Sequence, residues 1–264
     1  MIKTLSNIFK QDKEKFVIPR SVQQIIPIQT IWKDGIFRVS NNKFACTYKF
    51  TDINYAVASK EDKKTMFLEY SELLNSLDSG STAKITINNR RLNQKDFENA
   101  ILISMREDGL DLYRKEYNAM LLEKATGANS MVQEKYVTVS AYKKTIEEAR
   151  TYFTRVGTEL SSHFARLGAR CMEMDELHVL HDFYRAGEET EFHFDLKETM
   201  RKGHSFKDYI CPDELELKSS YFKMGDRYGR VLFLRDYASY IKDDMITELT
   251  DLNRNMMLSM DIIP

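Results

Sequence analysis

The run Met256–Met257–Leu258–Ser259–Met260–Asp261–Ile262–Ile263 constrains this chain most. It reads as a strand whose apolar side chains need strand neighbours on both sides to be buried. A sheet must therefore be built by the residues before it. Natural termini are more often polar and frayed. On that ground the chain reads as the front piece of a longer protein, cut at a domain edge.

The residues before it supply such a sheet. Ile28–Trp32, Ile36–Val39 and Phe44–Phe50 are strand candidates, with Lys33–Asp34–Gly35 and Asn41–Asn42 as turns. A helix follows from Lys60 to Leu77, with Met66, Tyr70, Leu73, Leu74 and Leu77 on one face. Ser59 and Asp62 cap it, and Ser79–Gly80–Ser81 ends it. Ala83–Asn88 alternates as a strand. Gln94 to Lys124 is the longest helical stretch, divided or kinked at Asp108–Gly109 and closed by Gly127–Ala128–Asn129–Ser130.

The second half repeats the theme. Lys135–Lys143 alternates Tyr136, Thr138, Ser140 and Tyr142 against Val137, Val139 and Ala141. Thr145 and Glu148 form a capping box for a helix whose face is Ile146, Ala149, Phe153, Val156, Leu160, Phe164 and Leu167, with Gly168 as the stop. Ala169–Met174 is a strand and Asp175–Arg185 a helix. Residues 187–220 are polar and form an excursion. Tyr228–Arg235, a helix near Tyr240–Leu252 and the final strand return to the core. The expected class is α+β, with mixed or antiparallel sheet units, packed helices and a ferredoxin-like arrangement in parts. Residues 1–20 form a lysine-rich arm, either a frayed tail or a short amphipathic helix bearing Ile2, Leu5, Ile8 and Phe9. The body is 21–264, divisible into packed units 21–130 and 131–264.

Composition narrows the function classes. A 42% apolar and 30% charged chain of 264 residues suits a soluble globular protein. Lys+Arg 39 against Asp+Glu 40, a net charge of −1, argues against a dedicated nucleic-acid binder but leaves a local patch open. Cys46, Cys171 and Cys211 are odd in number and far apart, so neither a disulfide framework nor a zinc site is indicated. They read as small packed hydrophobes in a reducing, cytosolic setting. No apolar run approaches the ~18 residues of a membrane span, and the first 15 residues lack a signal core.

Chemistry-bearing motifs are few. No G-x-x-x-x-G-K-[ST] string occurs, so no phosphate cradle is expected, and Met224–Gly225–Asp226–Arg227–Tyr228–Gly229–Arg230 reads as a turn entering a strand. His178 and His181, with Asp182 beside them and His193 further on, have helical spacing for metal ligands, but partly exposed helix histidines are the favoured reading. Arg90–Arg91, and Arg201–Lys202 through Phe206, Lys207 and Tyr209, form two basic clusters with aromatics nearby. Either they contact an anionic partner such as DNA backbone or lipid, or they are solvated loops. The 13 methionines, 15 phenylalanines and 14 tyrosines mostly fill the core. Any adaptable docking surface is expected in the 187–222 excursion, at Phe206, Tyr209, Tyr221 and Phe222.

Lys223–Met224–Gly225–Asp226–Arg227–Tyr228–Gly229–Arg230, the Tyr237–Ala238–Ser239 helix start and Glu248–Leu249–Thr250–Asp251–Leu252–Asn253–Arg254–Asn255–Met256 resemble the N-terminal region of the VirB/TrbE/CagE-type conjugal-transfer ATPases. The branch they resemble most is that of integrative and conjugative elements of Gram-positive bacteria. Trp32 to Val39 and the Tyr136–Tyr142 strand with its following helix fit the same region, so the resemblance covers most of the chain. It implies a non-catalytic module that docks a type IV secretion motor to membrane components of the transfer channel and supports self-association. It implies a cytoplasmic place at the inner face of the membrane. No cofactor is expected in this chain; ATP and magnesium belong to the motor domain of the full-length protein. Gly225, Asp226, Arg227, Gly229, Asn253, Arg254 and Asn255 match the family pattern in structural or inter-domain roles. The alternative is a free-standing accessory protein that binds DNA through the basic loops.

Overall fold

Alternation in the strands and capped amphipathic faces in the helices build one central sheet with helices laid on it. A computed structural model describes residues 19–53, 55, 57–91, 101–127, 131–169, 171–174, 196–236, 238–240 and 242–263. A 3-10 turn, Val22–Gln24, precedes β1 (Thr30–Ile31), β2 (Ile36–Arg38) and β3 (Lys43–Phe50). Then come α1 (Lys60–Asn75), β4 (Ser81–Arg91), α2 (Asp111–Gly127), β5 (Met131–Tyr142), α3 (Ile146–Arg166) and β6 (Cys171–Met174). The rest is α4 (Leu196–Arg201), α5 (Lys207–Ile210), β7 (Leu215–Leu217), β8 (Phe222–Met224), β9 (Arg227–Gly229), α6 (Asp243–Thr250) and β10 (Met256–Ile262). Residues 1–18 of the N-terminal arm, the candidate helix at 175–185 and the 94–100 part of the long helix lie outside the described residues.

The large sheet has seven strands in the order β1-β2-β3-β5-β4-β10, with β6 also on β3. Every pairing is antiparallel. On β3, β2 takes Phe44–Cys46 and β6 takes Thr47–Phe50, so the two share one edge. Apart from α2, which lies between β4 and β5, the path β3–α1–β4–β5–α3–β6 with spatial order β6-β3-β5-β4 is the split βαβ arrangement of ferredoxin-like folds. The class is α+β, as the alternating patterns implied. Strands from both sides of residue 130 interleave in this sheet.

Local chemistry explains both main helices. Ser59 Oγ accepts from the Asp62 N–H at 3.1 Å, and Asp62 Oδ2 accepts from Ser59 Oγ at 2.8 Å, starting α1. Thr145 Oγ1 accepts from the Glu148 N–H at 3.3 Å, and Glu148 Oε2 reaches back to the Lys144 N–H at 3.1 Å. At the far end of α3, Gly168 takes φ 75°, a conformation open to glycine at no steric cost. The Ala169 N–H then returns to the Phe164 carbonyl at 2.8 Å and closes the last turn.

Packing follows the strand period. Phe44, Cys46 and Tyr48 of β3 join Val137, Val139 and Ala141 of β5 on one face, under Leu73 of α1 and Ala149, Phe153, Val156, Leu160 and Phe164 of α3. Each large side chain buried there contributes roughly 1.5–3 kcal/mol, so this apolar stripe, rather than helix propensity, holds α3. Tyr152 is buried with it, beyond the expected face. A smaller cluster, Ile26, Ile28, Phe37, Ala45, Ile210 and Cys211, seals one corner of the opposite face. Cys46 and Cys211 are buried and carry no disulfide.

Two C-terminal expectations change. β10 pairs along its whole length with β4, but it ends the strand path, so among the described residues it has a neighbour on one side only. Its outward positions match that edge place: Asp261 lies 3.7 Å from Lys84, and Ser259 bonds Thr86 at 3.2 Å. The strand expected over Tyr228–Arg235 stops at Gly229, because its partner β8 begins at Phe222, opposite Gly229. Val231–Leu234 runs on as exposed, irregular chain. No described helix is long and apolar enough to cross a membrane.

Candidate functional site

Register gathers charge on the sheet face turned away from α1 and α3. Lys49 lies opposite Tyr136, and Glu134 opposite Asn88. Alternation therefore puts Lys49, Glu134, Tyr136 and Arg90 on one face. Glu134 is the hub. Its Oε1 accepts from Lys49 Nζ at 2.6 Å, and its Oε2 from Arg90 Nε at 3.0 Å and the Tyr136 hydroxyl at 2.8 Å. The Glu134 side chain is 11% exposed. Burial opposes its charge, but the hydrogen bonds from Arg90, Lys49 and Tyr136 together outweigh it and lower its pKa to about 2. This is a satisfied ion-pair network, and it engages Arg90. Arg91 closes β4 opposite Met131.

The second basic cluster is divided by its surroundings. Arg201 is exposed at the end of α4. Lys202 Nζ lies 2.7 Å from Glu198 Oε1. Phe206 packs against the smaller apolar cluster. Lys207 donates to the carbonyls of Gln23 at 3.1 Å and Ile26 at 3.0 Å, and burial pushes its pKa down. Tyr209 meets the His204 ring edge-on at 6.4 Å between centroids. The structure thus brings Phe206 and Lys207 together with the 22–28 segment, and Arg90 with Glu134. Lys207→Met is expected to lower stability by about 1–2 kcal/mol, since two carbonyls lose their donor; urea unfolding measures it.

Metal chemistry gains little. His178, His181, Asp182 and His193 lie outside the described residues. Among the described residues, Glu69 and Glu72 of α1 and His163 of α3 place ligand atoms within 4.8 Å of one another. Arg166 already supplies a cation there, its Nε 3.1 Å from Glu69 Oε2. The Lys223–Arg230 string forms the β8–β9 hairpin, with Gly225–Asp226 as its two-residue turn.

The feature the sequence did not disclose is the outward face of α2, a helix expected through Lys124. Asn118, 8% exposed, is its only buried residue among those whose side chains are described. Its amide accepts from the Ile103 N–H and donates to the Ile103 carbonyl, both at 2.9 Å, pinning the incoming chain to the helix. Asp111 accepts from the Arg106 and Glu107 N–H groups at 3.1 and 3.0 Å. Among described elements, α2 packs extensively against none. Leu112 and Tyr113 are each 66% exposed, and Tyr117 and Met120 continue the apolar surface at i+4 and i+7 from Tyr113. Ile103, Met105 and Leu110 of the preceding segment are exposed as well. The signal was present in the sequence as Tyr113, Tyr117 and Met120, but such a stripe ordinarily marks a core-facing helix.

No known family pattern matches the chain, nor does any curated protein.

Proposed function

We propose that this chain is a non-catalytic docking module, the front region of a conjugal-transfer ATPase of the VirB/TrbE/CagE kind. In this reading it holds the motor against membrane-embedded components of a type IV secretion channel, at the cytoplasmic face of the membrane. The observation that carries the docking reading is the apolar surface of α2 and its leading segment, left outside the core. Exposed contiguous apolar area of this kind marks interaction sites. The family assignment rests on the resemblance of Lys223–Arg230, Tyr237–Ser239 and Glu248–Met256.

The alternative, DNA binding through the basic loops, has weaker support. Arg90, Lys202 and Lys207 are each engaged by groups of the chain itself. A DNA-binding accessory protein would show salt-sensitive affinity that Arg201→Glu with Lys202→Glu abolishes.

The reading frame of the source gene beyond codon 264 tests the family assignment. The expected result is an in-frame G-x-x-x-x-G-K-[ST] string further downstream. A stop codon directly after Pro264 would overturn it.

A further inference from the structure

Val231, Leu232, Phe233 and Leu234 stand in a row between β9 and α6, exposed by 77, 82, 85 and 67%. A segment laid along a protein surface, like a strand in a half-covered sheet, turns alternate side chains inward and covers them. Here neither side is covered, so the run projects from the body of the protein. Large apolar side chains left in water are unfavourable, and contiguous apolar surface outside a core marks a protein or membrane contact.

The surroundings of the run decide between those two. Within four residues of it stand Arg227, Arg230 and Arg235 against a single acid, Asp236. No ion pair engages any of these arginines among the described residues. Tyr228 and Tyr240, 72 and 69% exposed, lie on the two sides of the run. The order is thus an apolar centre, an arginine at each end and a tyrosine beyond. Tyrosine favours the boundary between water and lipid headgroups because its ring is amphipathic, and anionic headgroups attract arginine. A protein groove or a sheet edge covers one side of a segment. A lipid layer surrounds whatever enters it, and so covers all four side chains at once. The irregular backbone limits entry to the depth where free N–H and carbonyl groups still meet water and headgroups.

We infer that Val231–Leu234 is a lipid-anchoring loop that enters the interfacial layer of an anionic membrane, with Leu232 and Phe233 at its tip. Arg230 and Arg235 stay at headgroup level. Stable attachment needs both signals, since a short apolar insertion holds weakly and salt screens the arginines. The loop gives the membrane placement proposed above a direct lipid contact. It shares no residue with α2 and needs no channel protein, so either contact stands if the other fails.

Flotation of the full chain with vesicles tests it, using phosphatidylcholine alone and phosphatidylcholine mixed with phosphatidylserine. Wild type is expected to float with the mixed vesicles, and about tenfold less with the neutral ones. Leu232→Asp with Phe233→Asp, at exposed positions and with folding checked by the urea midpoint, is expected to weaken binding about tenfold or more. Arg230→Gln with Arg235→Gln is expected to remove most of the preference for phosphatidylserine. In Phe233→Trp, lipid brominated along its acyl chains is expected to quench the new indole above the constant background of Trp32. No binding to mixed vesicles, binding that the aspartates leave unchanged, or an indole that the bromines do not quench would each overturn the inference. Self-association without lipid that the aspartates abolish would assign the run to a second copy and overturn it as well.

Discussion

Phe153→Ala is expected to destabilise the protein by about 3–5 kcal/mol, the usual cost of emptying a large aromatic site in a core. Phe153 is 2% exposed and lies within the main cluster beneath α3. Its ring meets Tyr152 edge-on at 5.2 Å, and its carbonyl accepts from the Tyr48 hydroxyl of β3 at 3.0 Å. The truncation removes the ring but leaves the backbone bond, so the loss is one of packing. Whole-domain stability is commonly only about 5–15 kcal/mol, and a cost of this size lowers the urea midpoint sharply. A loss under about 1 kcal/mol would show that α3 is not anchored through this face.

Glu134→Gln carries the second large effect, and its pH dependence identifies the cause. The folded carboxyl has a pKa of about 2 against an ordinary value of 4.5. A depressed carboxylate pKa adds stability above the unfolded value, and that stability disappears as pH falls through the folded one. The contribution is therefore complete above about pH 5 and gone near pH 2. At neutral pH the variant is expected to be less stable by on the order of 2 kcal/mol, discounted for the partial exposure of Lys49 and Arg90. The gap between wild type and variant narrows as the pH is lowered from 5 toward 2. Equal gaps at pH 7 and pH 3 would mean that shape, and not charge, matters at this position.

What the sequence discloses and what it hides divide along the range of the interactions. Ser59, Thr145 and Gly168 act on groups within a few residues, so the starts of α1 and α3 and the stop of α3 follow from local spacing. The α3 stripe is likewise periodic in one segment. The Glu134 network is different: its two cationic partners are 44 and 85 residues away, and only strand register brings them together. Nothing local to Glu134 announces Lys49. The Val231–Leu234 run has the residues of a strand, yet strand formation needs a partner edge, and β8 begins only at Phe222, opposite Gly229. Helix α2 inverts the usual inference, since its apolar stripe faces outward and Asn118 is the buried residue among those whose side chains are described. The helix expected from Gln94 is absent over residues 102–110, which are irregular, and helix resumes only at Asp111, two residues past Asp108–Gly109.

The docking reading is tested most directly by binding to the integral membrane proteins encoded beside the gene for this chain. Each is purified in detergent and titrated against wild type and against Tyr113→Glu with Tyr117→Glu. These substitutions lie on an exposed surface, and the variant's urea midpoint verifies its folding. The account predicts saturable capture of at least one membrane component by wild type, weakened about tenfold or more in the variant. Capture of none, or capture that the α2 substitutions leave unchanged, would contradict it.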